Sequence, residues 1–410
     1  MFDDHFVLRK FVIRKILMSN SNLYIIDLFS GAGGLSEGLK QSGFSPVFAN
    51  EYNETFLSTY KNNNKNIEVS SLDIRSLDPK KIRKSLGLSK GEVAVIAGGP
   101  PCQGFSINAP VRSNNDKRNH LFLDYIRFVK EFLPYSVIIE NVPGIISFSS
   151  GETVRSIRRL LENLGYRVDI SILCAAHYGV PQGRWRTIIV GTRDLGGLYR
   201  PPEIKFDVNP RSNFTSTLDN RTLLVNRYSK RVKPFVSVED AIFDLPEIEN
   251  QGGFDQMDYC RPAHSLYAKK MRVKSKLLLN HKCASLGPKN IERIRHIPPG
   301  GSWRDIPFDL LPEGMKRARR TDHTKRYGRL CPKSISSTIL TKPDPHWGAF
   351  IHPTQPRVLS IREAARLQSF PDRYVFNGSL SNQYVQVGNA VPPLLAKEVG
   401  LALKKQFNSL

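Results

Sequence analysis

The chain has 410 residues, 40% hydrophobic and 24% charged, so it is long enough to bury a sizeable core and has the balance of an ordinary globular protein. Sixty Lys and Arg face 37 Asp and Glu, and the resulting +23 draws polyanions, with nucleic acid the first partner class to consider. Five cysteines, an odd number with no C-x-x-C pair, argue against a disulfide-linked secreted fold and a zinc ribbon, and no apolar run approaches the roughly 18 residues of a membrane span.

Residues 6–17 are apolar but carry Arg9, Lys10, Arg14 and Lys15, which the core of a signal peptide would exclude. Residues 1–22 therefore read as a basic N-terminal arm, and Met18 offers an alternative start. Residues 23–29 (LYIIDLF) are a short apolar run ending in glycines, the pattern of a buried strand. Leu35 and Leu39 then recur at helical spacing until Gly43 stops the helix. A second strand is expected over 46–50, and a third ending at Asp73. Residues 93–97 and 137–139 are further strands, each followed by a Gly or Pro loop. Residues 121–132 and 151–164 read as amphipathic helices, the second ended by Gly165. This alternation predicts an α/β fold with a parallel sheet covered on both faces, and ligands at the carboxyl ends of its strands.

The alternation breaks after about Thr192. Residues 193–328 hold few clean periods, and a stretch of that length is not a mere loop. Residues 261–330 carry 18 Lys or Arg against 5 Asp or Glu, so a smaller, irregular, basic lobe is expected. Arg317, Arg319 and Arg320 within it suit phosphate contacts; a solvated basic turn is the alternative. Residues 360–370 (SIREAARLQSF) read as an amphipathic helix opened by a capping box of Ser360 and Glu363. His346 and His352 have no third ligand in view, so no metal site is expected.

Four motifs carry chemistry. In Asp27-Leu-Phe-Ser-Gly-Ala-Gly-Gly-Leu-Ser36, three glycines follow a strand and open a helix, which lets backbone approach a ligand. The third glycine of a dinucleotide fingerprint is missing, since Ser36 occupies its place. Glu51 ends the second strand, where a carboxylate accepts hydrogen bonds from a ribose diol. Asp73 ends the expected third strand; a bare Asp there also suits a helix cap. Together these placements suggest a nucleoside cofactor with no pyrophosphate to cradle. In Gly98-Gly-Pro-Pro-Cys-Gln-Gly-Phe-Ser106, Cys102 sits in a strand-end loop, poorly placed for packing and well placed for attack. An ordinary thiol is only slightly ionised at neutral pH, so it needs activation. Glu140-Asn-Val-Pro143 follows an apolar strand; Glu140 is either a loop cap or a partly desolvated acid ready to donate a proton. In Gln182-Gly-Arg-Trp-Arg186, Arg184 and Arg186 alternate along a strand and so share a face, where two guanidinium groups need an anion or an electron-rich ring.

The order of these motifs, closed by Gly388-Asn-Ala-Val-Pro-Pro393, resembles the cytosine-5 DNA methyltransferases over about residues 23–403. The resemblance implies a doubly wound, Rossmann-like, S-adenosylmethionine-dependent methyltransferase domain over 23–192, completed by residues 329–410, with a smaller target-recognition domain over 193–328. It implies that Phe29, Gly31, Gly33, Gly34, Leu35, Glu51, Tyr52, Asp73, Ile74, Pro101, Leu121, Asn389 and Val391 line the cofactor site, with Glu51 on the ribose and Asp73 on the adenine amino group. Cys102, Glu140, Arg184 and Arg186 would be catalytic. Gln103, Ser106, Arg317, Arg319, Arg320 and Thr338 would meet DNA, Thr338 by supporting a flipped nucleotide. Gly183 is a departure, since many relatives carry a basic residue there.

The chemistry calls for these groups as well. Cytosine carbon 5 is too weak a nucleophile for a sulfonium methyl until a thiolate adds to carbon 6. A proton donor at ring nitrogen 3 and a cation at the exocyclic oxygen then hold back negative charge. The resemblance further implies double-stranded DNA as partner, a monomer, a DNA-associated cytoplasmic location and a bacterial restriction–modification setting. A cognate endonuclease would share the sequence without binding the chain. Two alternatives stay open at this point. One is a tRNA cytosine-5 methyltransferase, whose Cys-Phe-Thr tripeptide this chain lacks. The other is a nicotinamide-dependent oxidoreductase, suggested only by the glycine loop.

Overall fold

Short runs of β-branched and aliphatic residues bounded by turns build one seven-stranded sheet. The computed structural model describes residues 23–100, 121–193, 199–210, 223–322 and 325–408. In chain order the strands are β1 (Leu23–Leu28), β2 (Phe44–Asn50), β3 (Glu68–Ser70), β4 (Val95–Gly98), β5 (Ser136–Asn141), β6 (Arg167–Cys174) and β7 (Trp185–Thr192). Their order across the sheet is β3-β2-β1-β4-β5-β7-β6. Side chains alternate between faces. Ile25, Val95, Ala97 and Ile138 join one buried cluster, while Ile26, Ile96, Val137 and Ile139 join the other. The sheet is thus covered on both sides, as expected of a doubly wound fold.

The expected parallel sheet is present over β1 to β5, with a departure at β7. β7 runs antiparallel to both β5 and β6, inserted between them. β6 and β7 are joined by the tight 175–184 connection rather than by a crossover helix, and antiparallel neighbours permit that. Asp73 also lies elsewhere than expected. β3 ends at Ser70, and Asp73 caps the short 3-10 turn Ile74–Ser76.

The helix Leu121–Phe132 has the bounds its periodicity predicts, and Tyr125 on its buried face donates to the carbonyls of Ile96 and Ile138. Ser360 and Glu363 do form a capping box. The helix they open, Ile361–Leu367, is not a half-exposed amphipathic one, because every residue in it is buried. Two of its three charges meet opposite charges, while Arg362 donates to the carbonyls of Leu279, Pro371 and Tyr374. Glu363 takes both terminal nitrogens of Arg357, and Arg366 is held between Asp244 and Asp372. A buried charge persists where an opposite charge or several hydrogen bonds satisfy it.

Asp244 belongs to the irregular stretch, as does Arg272, which also bonds it. Within that stretch β8 (Ile204–Asp207) pairs with β9 (Tyr228–Pro234), and β10 (Gly253–Met257) with β11 (Leu278–Lys282). Val238, Ile242, Tyr267, Leu278, Ile294 and Trp303 share one core with Leu359, Phe370 and Leu395. Among the described residues no helix is long and apolar enough to cross a membrane.

Candidate active site

β1 and β4 are hydrogen-bonded neighbours, yet the chain leaves them in opposite directions across the sheet, so their carboxyl ends flank the switch point where open α/β sheets bind ligands. At the end of β1 the backbone turns sharply. Phe29 and Gly31 have φ of 56° and 54°, and Gly33, at 89°, precedes the helix Gly34–Gln41. Each glycine serves a different purpose. A methyl group on Gly31 would meet nothing, so its surroundings are open; one on Gly34 would collide with the carbonyl of Val391. Gly34 therefore lets the loop abut the Asn389–Val391 segment rather than making room for a ligand. Leu35 and Val391 are buried beside it, while Asn389 is exposed.

Two acids lie under this loop. Glu51 accepts from the amides of Gly31 and Asn53, both at 2.9 Å, and burial raises its carboxyl above the usual range. Asp27 accepts from the Ser36 hydroxyl at 2.6 Å, but its Oδ1 is buried without a hydrogen bond. Burial pushes Asp27 from 3.8 up to about 7, against the Ser36 bond and with help from Glu51. Tyr52 is 73% exposed beyond Glu51, Ile74 is buried, and Leu121 is half-buried. Asp73 is engaged by its neighbour: Arg75 donates from its backbone and its guanidinium, and that bond lowers the carboxyl to about 2.

The Asp27 shift makes a prediction. Below about pH 4 the group is neutral in both folded and unfolded chains. Between pH 4 and 7 only the unfolded chain ionises, so Asp27's share of stability falls as pH rises and is lost above 7. Thermal melts from pH 5 to 7.5 should therefore decline less steeply for Asp27→Asn than for the wild type. Parallel slopes would reject the assignment.

At the ends of β4 and β5 the second group of residues converges. Arg186 Nε stands 2.6 Å from Glu140 Oε1, and both side chains are largely enclosed. A methyl group on Gly99 would stand 2.9 Å from Glu140 Oε2, so the glycine lets the loop pass directly over the acid. Asn141 donates to the carbonyl of Pro100 at 3.1 Å. The Glu-Asn pair thus meets the chain at Gly99 and at Pro100, the first residue of the Pro-Pro-Cys motif. Pro101, Cys102, Gln103 and Ser106 lie outside the described residues.

Arg184 is fully buried, and burial, with Arg186 close by, pushes its guanidinium well below the usual range. Its terminal nitrogens donate to the carbonyls of Ile339 (3.0 Å) and Gly388 (2.7 Å). Among the described residues no carboxylate pairs with it. The two arginines therefore have separate employments, one on Glu140 and one on backbone. Thr338 donates to the carbonyl of Gly183 at 2.9 Å. Arg317, Arg319 and Arg320 are exposed and form no ion pair with any described residue. Among the described residues no group of His, Cys, Asp and Glu could hold a metal.

The model of the C-5 cytosine-specific DNA methylases matches residues 23–405. The chain belongs to that family. It is 36% identical to the type II methyltransferase M.AgeI of Thalassovita gelatinovora, covering 92% of this chain and 98% of that protein. It is 34% identical to M.DdeI of Desulfomicrobium norvegicum, over 94% and 89%. The DNA (cytosine-5)-methyltransferase 1 of Mus musculus is 30% identical over 93% of this chain, which spans 28% of that longer protein. A solved structure described as a prophage-encoded DNA modification methyltransferase of E. coli superposes with a TM-score of 0.71 at 25% identity, over 94% and 100%.

Membership makes this cytosine-5 methylase a user of S-adenosylmethionine and removes the nicotinamide reading. The residues present fit that cofactor. The open space at Gly31 leaves room for a nucleoside, and the unbonded Asp27 Oδ1 leaves a polar atom to satisfy. Motifs alone miss two side chains of this methylase. Gln182 stands within its motif with no role that the motif assigns, and Gln368 carries no signal. Both are buried beside Arg184.

Proposed function

We propose that this methylase modifies one cytosine within a specific duplex DNA sequence through a covalent bond between Cys102 and carbon 6 of an everted base, as the modification enzyme of a restriction–modification system. The observation that carries the reading is the Glu140–Arg186 pair packed over Gly99, with Pro100 held by Asn141, at the switch point of the sheet. A pair of that kind offers a carboxyl group and a cation to ring nitrogen 3 and the exocyclic oxygen of a pyrimidine.

In this reading the Cys102 thiolate adds to carbon 6 and the ring electrons shift toward carbon 5. The Glu140 carboxyl shares a proton with ring nitrogen 3, and Arg186 holds the exocyclic oxygen. Arg184 carries a buried charge with no carboxylate on it, which favours the thiolate over the thiol. Bound S-adenosylmethionine supplies the electrophilic methyl group. Carbon 5 then loses its proton to a base, and the carbon 6–sulfur bond breaks to return the thiolate. Eversion costs a few kcal/mol, which contacts from the protein offset.

Glu51 retains free lone pairs for a ribose diol although both its oxygens bind amides. Tyr52, Phe29, Leu35, Ile74, Pro101, Leu121, Asn389 and Val391 surround the nucleoside and its methionine arm. Asp73 takes the adenine amino group, sharing with or displacing Arg75. Asp73→Ala should then raise the dissociation constant for S-adenosylhomocysteine severalfold and leave DNA affinity within about twofold. A titration with the reverse order would remove Asp73 from the site.

Residues 193–328 act as the target-recognition unit, with residues 23–192 and 329–410 as the catalytic part and residues 1–22 as a basic arm. Arg317, Arg319 and Arg320 supply phosphate contacts that give affinity without sequence choice. Thr338 supports the everted nucleotide, and Gln103 and Ser106 take part in DNA binding. The near full-length match to relatives named type II methyltransferases supports the restriction–modification setting. There a cognate endonuclease shares the sequence without binding this chain, which acts as a monomer. Bisulfite sequencing of DNA from cells expressing the protein tests the function. Protected cytosines in one sequence context support it, and uniform conversion would refute it.

A further inference from the structure

The residues around Arg184 form a buried polar hub that joins four distant segments. Gln182 is fully buried. Its Nε2 donates to the carbonyl of Leu367 (3.1 Å) and to Gln368 Oε1 (2.9 Å), while its Oε1 accepts from the amide of Ile339 (3.0 Å). Gln368, equally buried, donates onward to the carbonyls of Val387 (2.7 Å) and Ala390 (3.3 Å). Arg184 spans the same gap directly, with one nitrogen on Ile339 and the other on Gly388. Backbone fits where the side chains meet, because a methyl group on Gly388 would collide with the carbonyl of Leu340.

The two sides of this hub face different molecules. Residues 336–340 include Thr338 and are bonded along their length to residues 181–183: Ser336 to Pro181, Gly183 to Ser336, and Thr338 to Gly183. Residues 387–391 include Asn389 and Val391. The proposed function puts the first strip against the everted nucleotide and the second against the cofactor, and the coupling of the two strips rests on that reading. The bonds made by the Gln182, Arg184 and Gln368 side chains are all buried, so displacing either strip leaves buried donors and acceptors unmet. The strips must therefore shift together or not at all.

We infer that Gln182, Arg184 and Gln368 are positioning residues that couple DNA binding to cofactor binding. A duplex that orders residues 336–340 also orders residues 387–391, and by reciprocity the cofactor prepares the strip that receives the base. Coupling along a route of this kind has to be shown by measurement.

The test is the affinity for S-adenosylhomocysteine, by calorimetry, with and without a saturating duplex that carries the methylated sequence. For the wild type the duplex should tighten binding about tenfold, within the usual span of coupling energies. In Gln182→Met and Gln368→Met, which conserve volume and remove the bonds, the ratio should fall to within about twofold of one. Arg184→Lys provides a third break in the same hub should either glutamine variant fail to fold. A purely structural role would lower the melting temperature and leave the ratio intact. That result in folded variants, or a wild-type ratio of one, would overturn the inference. Asn389→Ala separates this failure from failure of the functional reading. If that variant binds S-adenosylhomocysteine as the wild type does, the second strip does not face the cofactor and the reading itself is wrong.

Discussion

Replacing Cys102 with Ala should reduce methyl transfer by at least about 10⁴-fold while DNA and S-adenosylhomocysteine still bind. The size follows from the chemistry, since removing a covalent nucleophile costs orders of magnitude more than removing a supporting group. Without sulfur at carbon 6 the cytosine ring keeps its aromatic electrons, and carbon 5 has no lone pair to offer. Among the other described cysteines, Cys174 is buried with its thiol pushed up to about 12, Cys283 is buried within the irregular stretch, and Cys260 and Cys331 belong to or follow that stretch rather than the ends of β4 and β5. The loop should survive the substitution, because its approach is held by Asn141 on Pro100 and by the close fit of Gly99 over Glu140, neither of which involves the thiol. Incorporation of labelled methyl groups into duplex DNA measures the first quantity and equilibrium titrations the second. Turnover near the wild-type rate would defeat the assignment of Cys102.

Glu140→Gln should lower kcat by about 10²- to 10⁴-fold, the usual worth of a positioned proton donor. The amide is isosteric, and its oxygen can still accept from Arg186, so the 2.6 Å contact has a close substitute. What it cannot do is release a proton to ring nitrogen 3 as thiolate adds at carbon 6. The loss should therefore fall on kcat, with the KM for DNA changed little. Single-turnover kinetics at saturating duplex separates the two. A variant that loses DNA affinity and keeps its rate would make Glu140 a structural cap, the plainer of its two readings from sequence.

Local patterns were more legible than the long-range arrangement that joins them. The Gly-rich turn, the Glu-Asn-Val strand end and the helix Leu121–Phe132 are local patterns, each set by residues within a dozen positions. The departures have long-range causes. β7 enters between β5 and β6 because the 175–184 connection is too tight for a crossover, and strand periodicity does not encode direction. Asp73 lies beyond its strand because β3 is only three residues long. The helix Ile361–Leu367 has the sequence of a half-exposed one because its arginines and glutamate mimic a solvated face; Asp244 and Asp372 pair Arg366, Arg357 pairs Glu363, and backbone carbonyls take Arg362, all from beyond the helix. The motif around Arg184 suggests a partner of anions or of an electron-rich ring. Its carbonyl partners lie 155 and 204 residues away. Gln368 is invisible in the sequence for the same reason: an unremarkable glutamine acquires its meaning from Gln182, 186 positions earlier.

The most direct measurement is a covalent trap. Duplex DNA carrying 5-fluorocytosine at the target position is incubated with S-adenosylmethionine and the protein, then denatured and mapped by mass spectrometry. Fluorine cannot leave carbon 5 as a proton does, so the adduct should persist, with the DNA attached at Cys102 and a methyl group on the base. A duplex methylated normally at cytosine that never cross-links when fluorinated, or that cross-links through another residue, would contradict the account.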